Sequence, residues 1–418
     1  MKKLETLIIG AGISGLSYAV NSNEDYLIVE KDSSAGGLCR TFYEKEFVWD
    51  YAGHFFHFAN PDIKKMFEDS ISADDMVVRK KNTNINYNGN YINYPFQMNI
   101  HQLPKDEFIN CLYDLLNKNE KDSYDNFEDM LYGKFGRSIT EKFLKPYNEK
   151  LYACDLVELD TNAMGRFFPY ANTTQIINNM KKSEAKTYND CFDYPVKGAQ
   201  FFIDILLKKI DKNKLKLNSV LESINIEEKK ATIDGKVIQY EKLINTIPLN
   251  YFAKLLPEEY NFKNVLHCNK VLVFNLGFDK PAIDDKVHWT YVPMKDVNFY
   301  RCGFYNNILG DEKLSMYIEI GYKENDEVDI EEQLNLTLLN LKKLGIIKNH
   351  KLVAHNALII NPGYVHITEQ SVREVSRIRK LLATKNVYTI GRYGKWTYCS
   401  IEDCIVDAKK LAEGIYQC

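Results

Sequence analysis

Leu4-Glu-Thr-Leu-Ile-Ile9-Gly10-Ala-Gly12-Ile-Ser-Gly15-Leu16, followed at position 26 by Tyr26-Leu-Ile-Val-Glu30, is the stretch that decides the fold. Residues 4–9 predict a buried strand, residues 13–22 a helix and residues 26–30 a second strand. The glycines fall at the strand-to-helix turn in a Gly-x-Gly-x-x-Gly spacing. Gly10 permits the tight turn, Gly12 lets the backbone approach a pyrophosphate, and Gly15 lets helix and strand pack closely. The helix N-terminus favours negative charge. Glu30 ends the second strand, where a carboxylate accepts hydrogen bonds from a ribose. This order of elements predicts a dinucleotide-binding unit, and at this point NAD and FAD fit it equally.

Beyond that unit, residues 105–150 are rich in helical patterns, and Gln200 to Ile210 carries apolar residues at helical spacing. Short strands follow at Leu215–Leu217, Val220–Ile226, Ala231–Ile233, Lys236–Gln239 and Leu243–Thr246, with Asp234-Gly235 as a hairpin signal. Residues 268–277 and 314–321 read as longer strands, residues 386–390 as a last buried strand, and 401–416 as a closing helix. The expected class is α/β: a Rossmann-like FAD- or NAD-binding fold, a helical substrate domain and an additional antiparallel β-sheet domain. The expected division is 1–90 with 215–265 and 380–418 for the discontinuous dinucleotide domain, 100–200 for the helical domain and 266–375 for the β-sheet domain.

Composition narrows the function. The 418 residues carry a formal net charge of -3 and are 45% hydrophobic, enough apolar material for a large core. A near-balanced charge gives no general attraction to nucleic acid. The apolar run before Gly10 is too short for a signal peptide, and no stretch is long enough to span a bilayer, so no integral membrane association is expected. The nine cysteines, Cys418 among them, show no metal-ligand spacing and an odd count. Reduced thiols in a cytoplasmic protein, with no metal, are the expectation.

Six residues after Glu30 comes Gly36-Gly37-Leu38-Cys39-Arg40. Here the chain resembles the superfamily of amine oxidases, desaturases, protoporphyrinogen oxidases and nucleotide-sugar mutases, in which an acid, a Gly-Gly loop and an arginine wrap the FAD diphosphate. Arg40 would supply charge-assisted hydrogen bonds. Asp50-Tyr-Ala-Gly53-His54-Phe-Phe-His57 then offers a chain that could pass beside the flavin ring, with Gly53 allowing close approach. His57 reads equally as a packed histidine.

From this point the sequence resembles UDP-galactopyranose mutases, and their eukaryotic-type pattern most. The matching pieces, in the family's order, begin with Asp50 to His57, Tyr94-Pro-Phe96-Gln97-Met-Asn99 and Pro146-Tyr147-Asn148-x-Lys150-x-Tyr-Ala153. Gly165-Arg166, Trp289-Thr-Tyr291-x-Pro293, Phe299-Tyr-Arg301, Gly363-Tyr364 and Gly391-Arg392-Tyr393-Gly394-x-Trp396-x-Tyr398 follow. Tyr152 replaces the family's usual tryptophan, and Ser400 stands where bacterial members carry an acid.

The residue types suit a nucleotide sugar independently. Arg301 and Arg166 offer planar forks to a diphosphate. Tyr291, Tyr364 and Tyr398 offer hydroxyls without added charge. Phe96 or Tyr147 could stack on a base while Gln97 or Asn148 reads its edge. The resemblance implies pyranose–furanose interconversion through an adduct between reduced flavin N5 and the sugar, in the service of cell-surface polysaccharide synthesis. It places Arg301 and Arg166 at the leaving diphosphate and Gly53 and His54 at the flavin. Arg392, Tyr393 and Val220 join Gly10, Gly12, Gly15, Glu30, Gly36, Gly37, Leu38 and Arg40 as cofactor contacts. The reduced form of FAD would be active, with NAD(P)H a candidate electron donor and a homodimer a candidate assembly. Loss of Arg301 should then impair turnover without affecting folding. The alternative is an FAD-dependent oxidoreductase of the amine oxidase, desaturase or protoporphyrinogen oxidase type.

Overall fold

The structure is a computed structural model that describes residues 3–181, 191–260 and 264–416. Cys418 and parts of the 100–200 and 215–265 segments lie outside the described residues.

Strand β1 (Leu4–Ile9) leads into helix α1 (Ile13–Asn21) and then strand β2 (Tyr26–Val29), as the sequence predicts. β1 pairs in parallel with β2 on one side and with the strand Lys236–Asn245 on the other. Val387–Thr389 adds a further parallel strand beside Lys236–Asn245. Leu7 and Ile8 point to opposite faces of the sheet and both are fully buried, as a parallel strand covered on both faces requires. One core joins α1 to Gln200–Leu207 and to the helix Ile401–Ala412. The opposite core receives Val375, Ile378 and Leu382 from the helix Glu369–Ala383.

Two sequence expectations change. Lys236–Gln239 and Leu243–Thr246 are one strand, because its first half closes the hairpin with Lys230–Ile233 while its second half runs parallel to β1. Thr83–Tyr87, grouped by sequence with the dinucleotide unit, pairs instead with Trp289–Tyr291 and so belongs to the second sheet.

That second sheet is largely antiparallel and runs Leu352–Ile360, Asn269–Phe278, Ser315–Lys323, Arg301–Phe304, Trp289–Tyr291, Thr83–Tyr87, Asn90–Asn93. The strand Ser315–Lys323 shows its alternation clearly. Met316, Ile318 and Ile320 pack under the helix Ile330–Lys343, while Tyr317 and Glu319 face the other way, toward the helical segment. The helix Lys145–Tyr152 lies over this second face, and its Lys150 ammonium donates to the carbonyls of Val292 and Met294 and to that of Phe299. Burial draws the Lys150 pKa down to about 7, yet the carbonyl acceptors use its N–H donors and tie down the loop between Tyr291 and Arg301. Among the described residues no helix is long and apolar enough to cross a membrane.

Candidate active site

The cofactor frame is built from backbone. Gly12 caps α1 without a side-chain hydrogen bond, and the first turn holds no acidic residue, so its N–H groups are left for an anion. Gly36 N–H donates to the Ala11 carbonyl at 2.9 Å, which brings the Gly36-Gly37 loop against the glycine turn. A Cβ on Gly12 would meet only the Gly37 Cα, at 3.8 Å, so the space between the two loops is open. Gly15 packs α1 onto the Gly10 carbonyl. The Glu30 carboxylate accepts from Ala11 N–H at 2.8 Å and Asp32 N–H at 3.0 Å. Ser219 N–H donates to the Glu30 carbonyl, which sets the half-exposed Val220 beside the same strand end. Leu38 is partly buried in the loop. Arg40 pairs with Asp32 at 2.8 Å, donates to the Gly37 carbonyl and lies over the Tyr51 ring.

Gly391-Arg392-Tyr393 closes the frame from the C-terminal side, with Gly391 against Ser14 of α1. The Arg392 guanidinium sits over the Tyr398 ring at 4.5 Å and over Tyr364 at 5.4 Å. Its Nε is buried without a hydrogen-bond partner, as are Asn245 Oδ1 and Thr389 Oγ1. An orphaned guanidinium N–H beside an open glycine cradle fits a bound FAD, because leaving such a group unpaired is costly.

Next to this frame lies a cleft of about 610 Å³. It brings together Arg301, Arg166, Tyr147, Tyr291, Tyr364 and Tyr398 of the expected set. Tyr291 stacks on Tyr94 at 4.4 Å and accepts from Trp289 Nε1 at 2.9 Å. Tyr364 stacks on Tyr398 at 5.8 Å. Burial raises the pKa of Tyr94, Tyr147, Tyr291 and Tyr364, so their hydroxyls stay protonated and remain donors.

The arginines are not free. Arg301 forms a forked ion pair with Glu319 on the neighbouring strand, whose carboxylate side chain is only 3% exposed. Burial alone would lower the Arg301 pKa; Glu319, with Tyr364 and Tyr317 adding to it, more than offsets this and keeps it cationic. Arg166, half exposed, reaches both Asp403 oxygens at 2.8 Å. That contact ties the segment 165–170 to the start of the helix Ile401–Ala412.

Four placements depart from expectation. Phe96 is fully buried and stacks on Phe143 at 5.2 Å, so it serves the core and not the base. Gln97 is also fully buried and donates to the Pro169 carbonyl at 2.5 Å. Asn148 is turned one helical step, about 100°, from Tyr147 and donates to the Leu144 carbonyl. None of the three lines the cleft. Gly53 makes room for Tyr317, whose Oη would lie 2.5 Å from a Cβ there, so its close approach is to a tyrosine. The sequence reading missed Tyr94, Tyr317 and Glu319; the alternation in Ser315–Lys323 was the available signal for the last two.

His54 lies beside Gly53, with Nδ1 at 3.2 Å from the Ala52 carbonyl. Burial, with Arg392 and Arg301 adding positive charge, pulls its pKa down to about 4. Its folded pKa lies below the usual value of about 6.5, so the unfolded chain binds the extra proton between these limits. Stability from this group is complete above about pH 6.5 and is lost as pH falls toward 4. The urea midpoint should therefore drop on acidification, and less steeply in His54→Asn. Identical slopes for the two proteins would show that His54 does not titrate in this way.

Cradle, orphaned guanidinium and cleft fit an enzyme that carries FAD. The chain belongs to the flavin containing amine oxidoreductase family, whose model matches residues 13–415. Among solved structures it is similar to a reduced UDP-galactopyranose mutase, 20% identical, with 99% of this chain and 94% of that chain covered and a TM-score of 0.92. It is also similar to cyclohexylamine oxidase from Brevibacterium oxydans IH-35A, 13% identical, with 99% of both chains covered and a TM-score of 0.69. At these identities the likenesses establish the fold. An inactive all-trans-retinol 13,14-reductase from Danio rerio is 44% identical over 50 residues, which are 11% of this chain and only 8% of that protein.

Proposed function

We propose that this enzyme is a nucleotide-sugar mutase that interconverts pyranose and furanose forms, in the manner of UDP-galactopyranose mutase. The observation that carries the reading is the convergence of Arg301, Arg166 and the tyrosine hydroxyls on one cleft beside the cofactor frame. A diphosphate needs forked cations and neutral donors, and this cleft supplies both.

When bound, the flavin supplies a reduced ring able to act as nucleophile toward the sugar. The protein's own groups bind and stabilise. Arg301 holds the diphosphate at the point where negative charge grows as the glycosidic bond breaks. Glu319 keeps the Arg301 fork in one orientation. Tyr291, Tyr364 and Tyr398 donate to phosphate oxygens. Arg166, held by Asp403, covers the outer end of the cleft. Met98, Leu151 and Met164 line the same cleft and restrict water there.

The test is incubation of dithionite-reduced protein with UDP-, GDP- and dTDP-sugars, followed by chromatography for new isomers. Reduced protein should form an isomer without stoichiometric consumption of reductant, and oxidised protein should be nearly inactive. NAD(P)H is the proposed physiological donor. Consumption of one donor per turnover, or peroxide release with amines, would assign the site to the oxidoreductases instead.

A further inference from the structure

The helix Ile401–Ala412 starts from a reciprocal cap. Asp403 N–H donates to Ser400 Oγ at 3.1 Å, and Ser400 N–H donates to Asp403 Oδ2 at 2.8 Å. In such a cap the residue before the capping one packs against the fourth residue of the helix. Those two positions are Cys399 and Cys404. Their sulfurs lie 3.7 Å apart. Cys399 is partly exposed and Cys404 is buried.

We propose that Cys399 and Cys404 form a redox-active dithiol that a hydroperoxide converts to a disulfide across the start of this helix. The sulfurs need approach by only about 1.6 Å to reach the bonding distance of about 2.05 Å. The thiol of Cys399 favours the Cys404 thiolate; burial opposes it, while the Ser14 hydroxyl and the backbone at Arg392 assist. Around the pair, Arg392 favours the thiolate of Cys404, Asp403 disfavours that of Cys399, and the buried Cys39 thiol is held protonated.

The steps balance. The Cys404 thiolate attacks one peroxide oxygen; an S–O bond forms, the O–O bond breaks, and the leaving hydroxide takes a proton to become water. The Cys399 sulfur then attacks the sulfenic sulfur; the S–S bond forms, the S–O bond breaks, and a second water leaves with the thiol proton. Two thiols lose two electrons and the peroxide gains them. In the reverse direction a dithiol reductant attacks the accessible Cys399 sulfur, and Cys404, the better leaving thiolate, departs. Cys399 sits between Tyr398 and Ser400, both of which line the cleft, so closure of the bond bears directly on the cleft wall.

Flavin-loaded protein, reduced with dithiothreitol, gel-filtered and treated with hydrogen peroxide, tests this by alkylation with N-ethylmaleimide in denaturant and peptide mass mapping. Cys399 and Cys404 should lose alkylation together, their peptide should weigh two hydrogen masses less than the reduced form, and dithiothreitol should restore both thiols. In Cys399→Ser, dimedone should label Cys404; in Cys404→Ser, Cys399 should stay alkylable. Two outcomes overturn the proposal: both thiols remain alkylable while the exposed Cys191 is oxidised, or the bond formed joins Cys404 to Cys39. Neither readout depends on which substrate the cleft binds.

Discussion

Gly12→Val is expected to purify as a folded but colourless protein. The Cα atoms of Gly12 and Gly37 face each other across the mouth of the cradle, and a Cβ on Gly12 points at Gly37 Cα from 3.8 Å. The two further methyl groups of valine would fill the space that a pyrophosphate needs to reach the N–H groups of α1. Losing two charge-assisted hydrogen bonds at about 1.5–3 kcal/mol each weakens binding by roughly a hundredfold to ten-thousandfold. The backbone conformation of residue 12 lies in the extended region, so valine should be tolerated there by the apoprotein. Flavin absorbance per chain and melting temperature together read the result. A yellow Gly12→Val protein with one FAD per chain would move the pyrophosphate away from this turn.

Arg301→Ala should lower turnover about a hundredfold, the equivalent of roughly 3 kcal/mol of transition-state stabilisation. The sequence motif alone predicts no effect on folding, but the forked pair with Glu319 overturns that expectation. Alanine leaves a carboxylate buried without its partner, a change that costs about 3–5 kcal/mol, so the melting temperature should also fall. Arg301→Ala/Glu319→Ala removes both charges and should recover much of the stability while leaving turnover as low as in the single variant. Arg301→Lys should recover only part of the rate, because an ammonium cannot reproduce the fork. If the double variant regains turnover along with stability, Arg301 acts only as a structural partner and the diphosphate is held elsewhere.

The glycine turn, its flanking strands and Glu30 were legible because each is a local signal: residues 4–30 carry the whole pattern. The cleft was legible only where a side chain's place follows from its own segment, as for Tyr291 and Tyr364, which line it. Phe96 and Asn148 show why the rest was not. Phe96 is in a motif with a recognisable order, yet its environment is set by Phe143, on a different stretch of chain. Asn148 is one residue from Tyr147, and a single helical step of about 100° turns it from the cleft to its own helix backbone. The Arg301–Glu319 pair depends on strand register, since the two residues sit directly opposite each other, and register becomes fixed only when the sheet forms.

The strand Lys236–Asn245 has a kinetic meaning. It occupies the middle of the parallel sheet, with β1 (Leu4–Ile9) on one side and Val387–Thr389, roughly 380 residues further along the chain, on the other. Contacts so distant in sequence form late and slowly. The glycine turn therefore stands half-built until Gly391, which packs on Ser14, and the helix Ile401–Ala412 have been added to it. A flavin that needs Gly391-Arg392 as well as the glycine turn should therefore be captured only after both segments have been made and have come together.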